Sequence, residues 1–417
     1  MRDRKKSQEE KNPLWTKNFV LITIGTIISR IGNSIAGFAM GLLILDYTES
    51  TFLYALYMVL YNLPQIIMPT LAGPFVDKFS RRKTIYTLDF ISAGIYLLFS
   101  VIILSGNLNY ALLVLGCMLL GAIDSIYSVA YESFYPMLIS EGNYTKAYSI
   151  SSTLDSLTML MVPVSAFLYN LIGIGPLFLI DMCSFLFAAV METQIHVKES
   201  YVKKQDEEFG IRQYQKTFRE GVSYLREEKG LCAIVLYFMI TMFAQGSMNV
   251  IGLPYFKDTY PRGEYVYIAV MGFMLFGRLA GGAIHYKFKY PTDKKFLIAL
   301  VVYLVICVLD GCYLYVPIQV MMVMCFISGI MGVTSYNIRI SATQSYVPDG
   351  KKGRFNGIFH MAVTIGMMSG ELLSGVMAEF MEMRLVVVIF MAINFVAVWG
   401  IMYRSRKHVA VIYNRQA

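Results

Sequence analysis

Charge is what this sequence has least of. Only 15% of its 417 residues are Asp, Glu, Lys or Arg, where a soluble domain carries about 25%. With 56% apolar residues and a mean hydropathy of +0.55, polar groups are too few to cover a water-facing surface. A soluble multidomain enzyme, a disordered chain and a fibrous chain are excluded on that ground. Other absences narrow the choice. The six cysteines (Cys117, Cys183, Cys232, Cys307, Cys312, Cys325) lie inside apolar runs without metal-ligand spacing, so neither a disulfide framework nor a metal site is indicated. There is no G-x-x-x-x-G-K-[ST] loop and no hydrophilic segment long enough for an ATPase domain, so no cofactor, nucleotide or enzymatic chemistry is implied. Met1–Lys17 is basic, but the apolar stretch behind it is too long for the core of a cleavable signal peptide.

What is abundant is apolar sequence in bilayer-crossing lengths of roughly 20 residues. Such runs lie at 18–45, 51–75, 85–104, 110–131, 148–172, 177–195, 231–254, 265–286, 296–314, 318–342, 355–379 and 385–403. The expected architecture is an all-α integral membrane protein with twelve transmembrane helices in two pseudo-symmetric six-helix bundles. The first bundle is residues 1–195 and the second 230–417. A cytoplasmic linker over 196–229 carries a short amphipathic helix in FREGVSYLREE. An even number of spans puts both termini on one side. With that side taken as cytoplasmic, it holds 30 of the 36 Lys and Arg; 3 (Lys257, Arg262, Arg384) fall outside and 3 (Arg30, Arg278, Arg339) within spans. The positive-inside rule then puts both ends in the cytoplasm. The same asymmetry accounts for the formal charge of +8 without nucleic acid as a partner.

The two halves echo each other. AGPFVDKFSRRK follows span 2 and GGAIHYKFKY follows span 8, setting Gly73, Asp77 and Lys78 against Gly282, Tyr286 and Lys287. Parallel six-helix repeats imply a transporter with its substrate site between them. Ionisable residues inside spans are costly unless paired or facing an aqueous cavity, so each is a functional candidate. Arg30 heads a polar stripe in span 1 that includes Asn33. Asp124 in span 4 and Asp155 in span 5 each lie about 10 Å from the inner end, at about 1.5 Å per residue, and so at equal depth. With Arg30 they form a charge-compensated cluster, either a proton-coupling site or a static buried salt bridge that fixes helix packing. In the second half, Gln245 and Asn249 (span 7), Met274 and Arg278 (span 8) and His360, Thr364 and Glu371 (span 11) are expected to line the substrate cavity. Asp89, Asp310, Arg339 and Glu379 fall near span ends, where snorkelling to the interface is expected.

The most specific motif is GPFVDKFSRR after span 2. Gly73, Asp77, Lys78, Arg81 and Arg82 match the loop G-x-x-x-D-R/K-x-G-R-R/K of the major facilitator superfamily, which the chain resembles over nearly its whole length; Ser80 replaces the second glycine. Residues 29–34 (SRIGNS), 62–64 (NLP) and 87–90 (TLDF) resemble the bacterial branch containing macrolide-efflux and siderophore-export proteins. The resemblance implies the major facilitator fold and a monomer in the bacterial cell (inner) membrane that works by alternating access on a small-molecule substrate, with H+ as coupling ion. It favours export of an amphipathic or hydrophobic molecule. Uptake or symport of a nutrient, anionic or lipid-like solute is the alternative, and a non-transporting sensor or scaffold is a third. The loop implies a gate, with Asp77 at the N-terminal end of span 11 and Arg81 paired with Glu132. Asn33, Cys117 and Pro163 stand where proton-driven relatives carry an acid, an arginine and a proline–glycine signature. Asp124 and Asp155 are thus the candidates for the coupling role.

Overall fold

The computed structural model describes residues 13–66, 68, 79–140, 143, 147, 150, 151, 154, 158, 161–197, 199, 219, 222–287 and 291–415. Among these the regular structure is helical, without a strand. Twelve helices follow the twelve apolar runs. The first six are α1 (Lys17–Thr48), α2 (Thr51–Asn62), α3 (Arg81–Leu104), α4 (Tyr110–Phe134), α5 (Met161–Ile172) and α6 (Ile174–Thr193). The second six are α7 (Lys229–Thr259), α8 (Gly263–Lys287), α9 (Lys295–Cys312), α10 (Ile318–Tyr346), α11 (Asp349–Ala378) and α12 (Met383–Ala397). A π-helical turn, Val398–Tyr403, leads from α12 to a thirteenth helix, α13 (Arg406–Tyr413). Among the described residues ten helices are long and apolar enough to cross a membrane, and α5 is a shorter apolar helix.

The sequence sets where these helices begin and turn. Thr16, Ser80 and Asn109 cap α1, α3 and α4, each accepting a backbone N–H three residues on at 3.2 Å. Pro317 and Pro348 stand just ahead of α10 and α11, where a missing N–H costs nothing. The turn between α5 and α6 is the single residue Gly173 at φ +76°, a left-handed conformation that a side chain would strain.

The chain forms two compact units: Met1–Glu49 with Leu60–Phe209, and Ser50–Val59 with Gly210–Ala417. The first turns of α2 group with the second unit. There Ser50 Oγ and the Phe52 N–H donate to Glu379 Oε1 at 2.8 and 3.0 Å, and Gly375 packs on Ala55. Most of the expected linker lies outside the described residues, but residues 222–227 form the short helix read from its sequence.

Within each unit the helices pair in the same pattern. In the first, α1 packs on α5 and α6, α3 on α4 and α6, and α4 on the end of α2. In the second, α7 packs on α11 and α12, α9 on α10 and α12, and α8 on α10. Large apolar residues point away from these contacts. Leu98, Val101, Leu115 and Leu119 are each more than half exposed, the inverse of a soluble protein and the arrangement lipid requires. Because lipid tails are as apolar as leucine, close backbone approach replaces hydrophobic burial as the means of packing. The α7–α11 crossing shows this: a Cβ at Gly246, Gly366 or Gly370 would run into the facing backbone.

Gly370→Ala, which drives a methyl group into the Phe243 carbonyl, is expected to destabilise the protein by about 1–3 kcal/mol. Gly272→Ala, with nothing within 4 Å, gains about 1 kcal/mol of helix propensity instead. Thermal unfolding of the purified protein in detergent should therefore move in opposite directions for the two.

Candidate functional site

The first unit encloses a polar cavity of about 760 Å³. Its lining comes from residues at helical spacing on α1 (Ser29, Arg30, Asn33, Ser34) and α4 (Leu120, Asp124, Tyr127, Ser128, Tyr131). A face that is polar at i, i+4 and i+7 cannot turn to lipid, so both stripes face inward. Tyr61, Asp89, Glu132, Ser151, Thr158 and Phe185 are among the residues that complete the wall.

Hydrogen bonds lock this wall in place. Tyr96 OH donates to Asn33 Oδ1 at 3.0 Å, and Ser34 Oγ donates to the Thr158 carbonyl at 2.8 Å. The Arg30 guanidinium stands 5.5 Å from the Tyr131 ring centroid and within electrostatic reach of Asp124. Asp124 is open to the cavity, and its Oδ2 accepts a long hydrogen bond from Tyr61 OH at 3.5 Å. Arg30, Asn33, Asp124 and Glu132, taken from separate motifs in the sequence, thus share one chamber.

Asp89 is a correction. Its expected place was the interface, but it is 2% exposed. The reason is that α3 begins at Arg81 and not at 85, which moves Asp89 about 12 Å into the helix. There it meets Glu192 of α6, 1% exposed and unnoticed in the sequence because it ends an apolar run. The two carboxyls lie within electrostatic reach of each other. Tyr127, whose ring lines the cavity, donates to Glu192 Oε1 at 3.4 Å. Asp89 Oδ2 and Glu192 Oε2 lack a hydrogen-bond partner. Two acids are thus buried side by side, Asp89 on the cavity wall and Glu192 one tyrosine behind it. Asp181, also overlooked within its run, is buried on α6 against Ser184 Oγ at 2.8 Å. An acid inside an apolar run was the signal available for all three.

Of the gate residues, Gly73, Asp77 and Lys78 lie outside the described residues, as does Asp155. Arg81 Nη1 donates to the Ser133 carbonyl at 3.1 Å, next in sequence to its expected partner Glu132. Arg82 Nη1 donates to the Ile195 carbonyl, and the Arg82 N–H donates to Glu199 Oε1 at 3.1 Å. Both arginines therefore tie the start of α3 to the ends of α4 and α6, where helix carbonyls favour a cation.

In the second unit, Asn249 Nδ2 donates to Glu371 Oε1 at 3.2 Å, joining α7 to α11. Glu371 is only 1% exposed, so its carboxylate sits inside that helix pair and not on an open wall. Gln245 donates to Met248 Sδ at 3.5 Å. Arg278 and His360 are exposed, and Met274 and Thr364 are half-buried. Asp310 is a second correction: it is buried, and Ser328 Oγ donates to it at 2.6 Å across α9 and α10. Arg339 does not snorkel either; it lies 4.4 Å from the Phe359 ring centroid and 5.3 Å from that of Phe238.

Comparison with known proteins agrees with this geometry. The model of the Major Facilitator Superfamily matches residues 22–348. The uncharacterized MFS-type transporter YkuC of Bacillus subtilis is 25% identical over 303 residues, covering 69% of this chain and 68% of that protein. Macrolide efflux protein A of Streptococcus pyogenes is 22% identical over 376 residues, covering 89% and 91%. Among solved structures, a variant of the nucleoside transporter NupG superposes with a TM-score of 0.70 at 14% identity, covering 92% of this chain and 98% of that one.

An amide at position 89 can still hydrogen-bond inside the helix pair, whereas a methyl group cannot. Asp89→Asn is expected to keep the melting temperature in detergent, while Asp89→Ala, which leaves Glu192 buried without its polar neighbour, lowers stability by about 1–3 kcal/mol.

Proposed function

The chain belongs to the Major Facilitator Superfamily, and from that premise we propose that it is a proton-coupled exporter of amphipathic or hydrophobic small molecules, working by alternating access. One observation carries the reading: a polar chamber of about 760 Å³ inside an apolar helix unit, with Arg30 and Asp124 facing into it. Charges held open to a cavity inside a membrane-spanning unit are costly unless they are used. The lining holds three carboxyls (Asp89, Asp124, Glu132) to one guanidinium (Arg30). That balance favours a proton or a cationic amphiphile over an anionic solute. Similarity to macrolide efflux protein A supports the export direction.

In this reading Asp124 exchanges a proton with the chamber while Arg30 and Tyr61 hold its carboxyl in place, with Asp155 as the candidate partner acid. Gly73, Asp77 and Lys78 with Arg81, Arg82 and Glu132 form the gate that keeps the basic face closed. Gln245, Asn249, Met274, Arg278, His360 and Thr364 are the second unit's substrate contacts, with Glu371 holding Asn249 from behind. In this reading the chain sits in a bacterial inner membrane with both termini on the cytoplasmic side, which the charge asymmetry of the loops supports, and works as a monomer.

Ethidium accumulation in an efflux-deficient bacterium tests this. Expression of the wild type is expected to lower dye accumulation, and an uncoupler to restore it. Asp124→Asn or Asp155→Asn is expected to restore it without the uncoupler. Unchanged dye with the wild type would discard broad export of cationic amphiphiles.

A further inference from the structure

The segment after α12 reads in sequence as a basic tail: from Trp399 onward there is no Asp or Glu, while Arg404, Arg406, Lys407 and Arg415 follow in quick succession. The structure makes it a docked element. On one side of α13, Val409, Ile412 and Tyr413 are buried to 1% exposure or less. The Tyr413 and Tyr303 hydroxyls are 2.9 Å apart, and Asn414 Oδ1 accepts the Phe296 N–H at 2.9 Å, near the start of α9. Burial, with Tyr303 beside it, pushes the Tyr413 phenol well above its ordinary range, so this anchor stays neutral.

The other side of the same turn is open. Arg404, Arg406, Lys407 and His408 are exposed, and with Tyr403 they line a cavity of about 390 Å³. The Arg406 guanidinium is held 4.5 Å from the Tyr403 ring centroid. Among the described residues no carboxylate forms an ion pair with any of these cations. Anchoring by α13 means that the cluster is pre-organised, which lowers the ordering cost of binding.

Position selects the ligand. Tyr403 is the last residue of the apolar span Met383–Tyr403, so the basic cavity lies at the depth of the lipid headgroups. Leading into it are Val396, Trp399 and Tyr403, exposed to 66%, 48% and 42% and spaced three and four residues apart on one helix face. A free anion would use the cations and leave this apolar strip bare. An anionic phospholipid uses both, laying an acyl chain along the strip and its phosphodiester among the cations. We propose that the junction of α12 and α13 is a binding site for the headgroup of an anionic phospholipid.

The chain has only two tryptophans, Trp15 and Trp399, so Trp15→Phe leaves a single reporter beside the site. The full-length Trp15→Phe protein would be reconstituted in vesicles containing brominated phosphatidylglycerol or, at the same mole fraction, brominated phosphatidylcholine. Trp399 fluorescence is expected to be quenched more by the brominated phosphatidylglycerol. Arg404→Ala/Arg406→Ala/Lys407→Ala is expected to abolish that preference, and Arg219→Ala/Arg226→Ala/Lys229→Ala, an equal loss of charge elsewhere, to preserve it. Arg404→Gln/Lys407→Gln, which leaves the Arg406–Tyr403 stack and the buried face of α13 intact, is a milder variant and should lose most of the preference. Equal quenching by the two lipids would overturn the site, as would equal loss in both triple variants. Removal of the preference by millimolar inorganic phosphate would make this a soluble-anion site and overturn the lipid assignment.

Discussion

The cost of moving a charge from water into hydrocarbon governs this molecule. It explains why charged residues are scarce and why nearly all the basic ones fall outside the spans. It also explains why the acids and arginines buried inside the spans, among the described residues, have polar or aromatic neighbours. Asp124 has Tyr61 and the field of Arg30; Asp310 has Ser328; Glu371 has Asn249. Arg339 is surrounded by aromatic faces. Each arrangement is a different answer to one desolvation penalty.

The bilayer imposes a second condition on packing. Hydrophobic burial cannot hold one helix to another when the surroundings are equally apolar, so backbone proximity and hydrogen bonds take its place. Glycines at the α7–α11 crossing and Ser34, Ser165 and Ser100 between helices of the first unit fill these roles. This rigid helix packing lets α1 and α4 hold a polar chamber open. The repeated pairing pattern of the two units shows the same solution reached twice in one chain.

A membrane protein advertises its fold more openly than its site. Runs of apolar residues and basic loops made the twelve helices and their order legible, because helix formation in lipid depends on local composition and length. The motif after span 2 and the in-span charges Arg30 and Asp124 also stood out for local reasons. The partnership of Asp89 with Glu192 did not: those residues are 103 positions apart, and only the packing of α3 on α6 brings them together. A shift of four residues in the start of α3 separated an interfacial acid from a buried one.

The docking of α13 was hidden for the same kind of reason. Its sequence is basic and short, as a solvated tail would be, and only the packing surface made by α7, α9 and α10 gives Val409, Ile412 and Tyr413 somewhere to go. By itself, then, the sequence determined class, span count, charge asymmetry and family, all of which follow from how many residues of each kind occur in each stretch. Tertiary structure alone decided which acids meet, which arginines are caged and which basic cluster becomes a pocket. Those outcomes depend on contacts between distant segments, and no local pattern of residues encodes a distance in space.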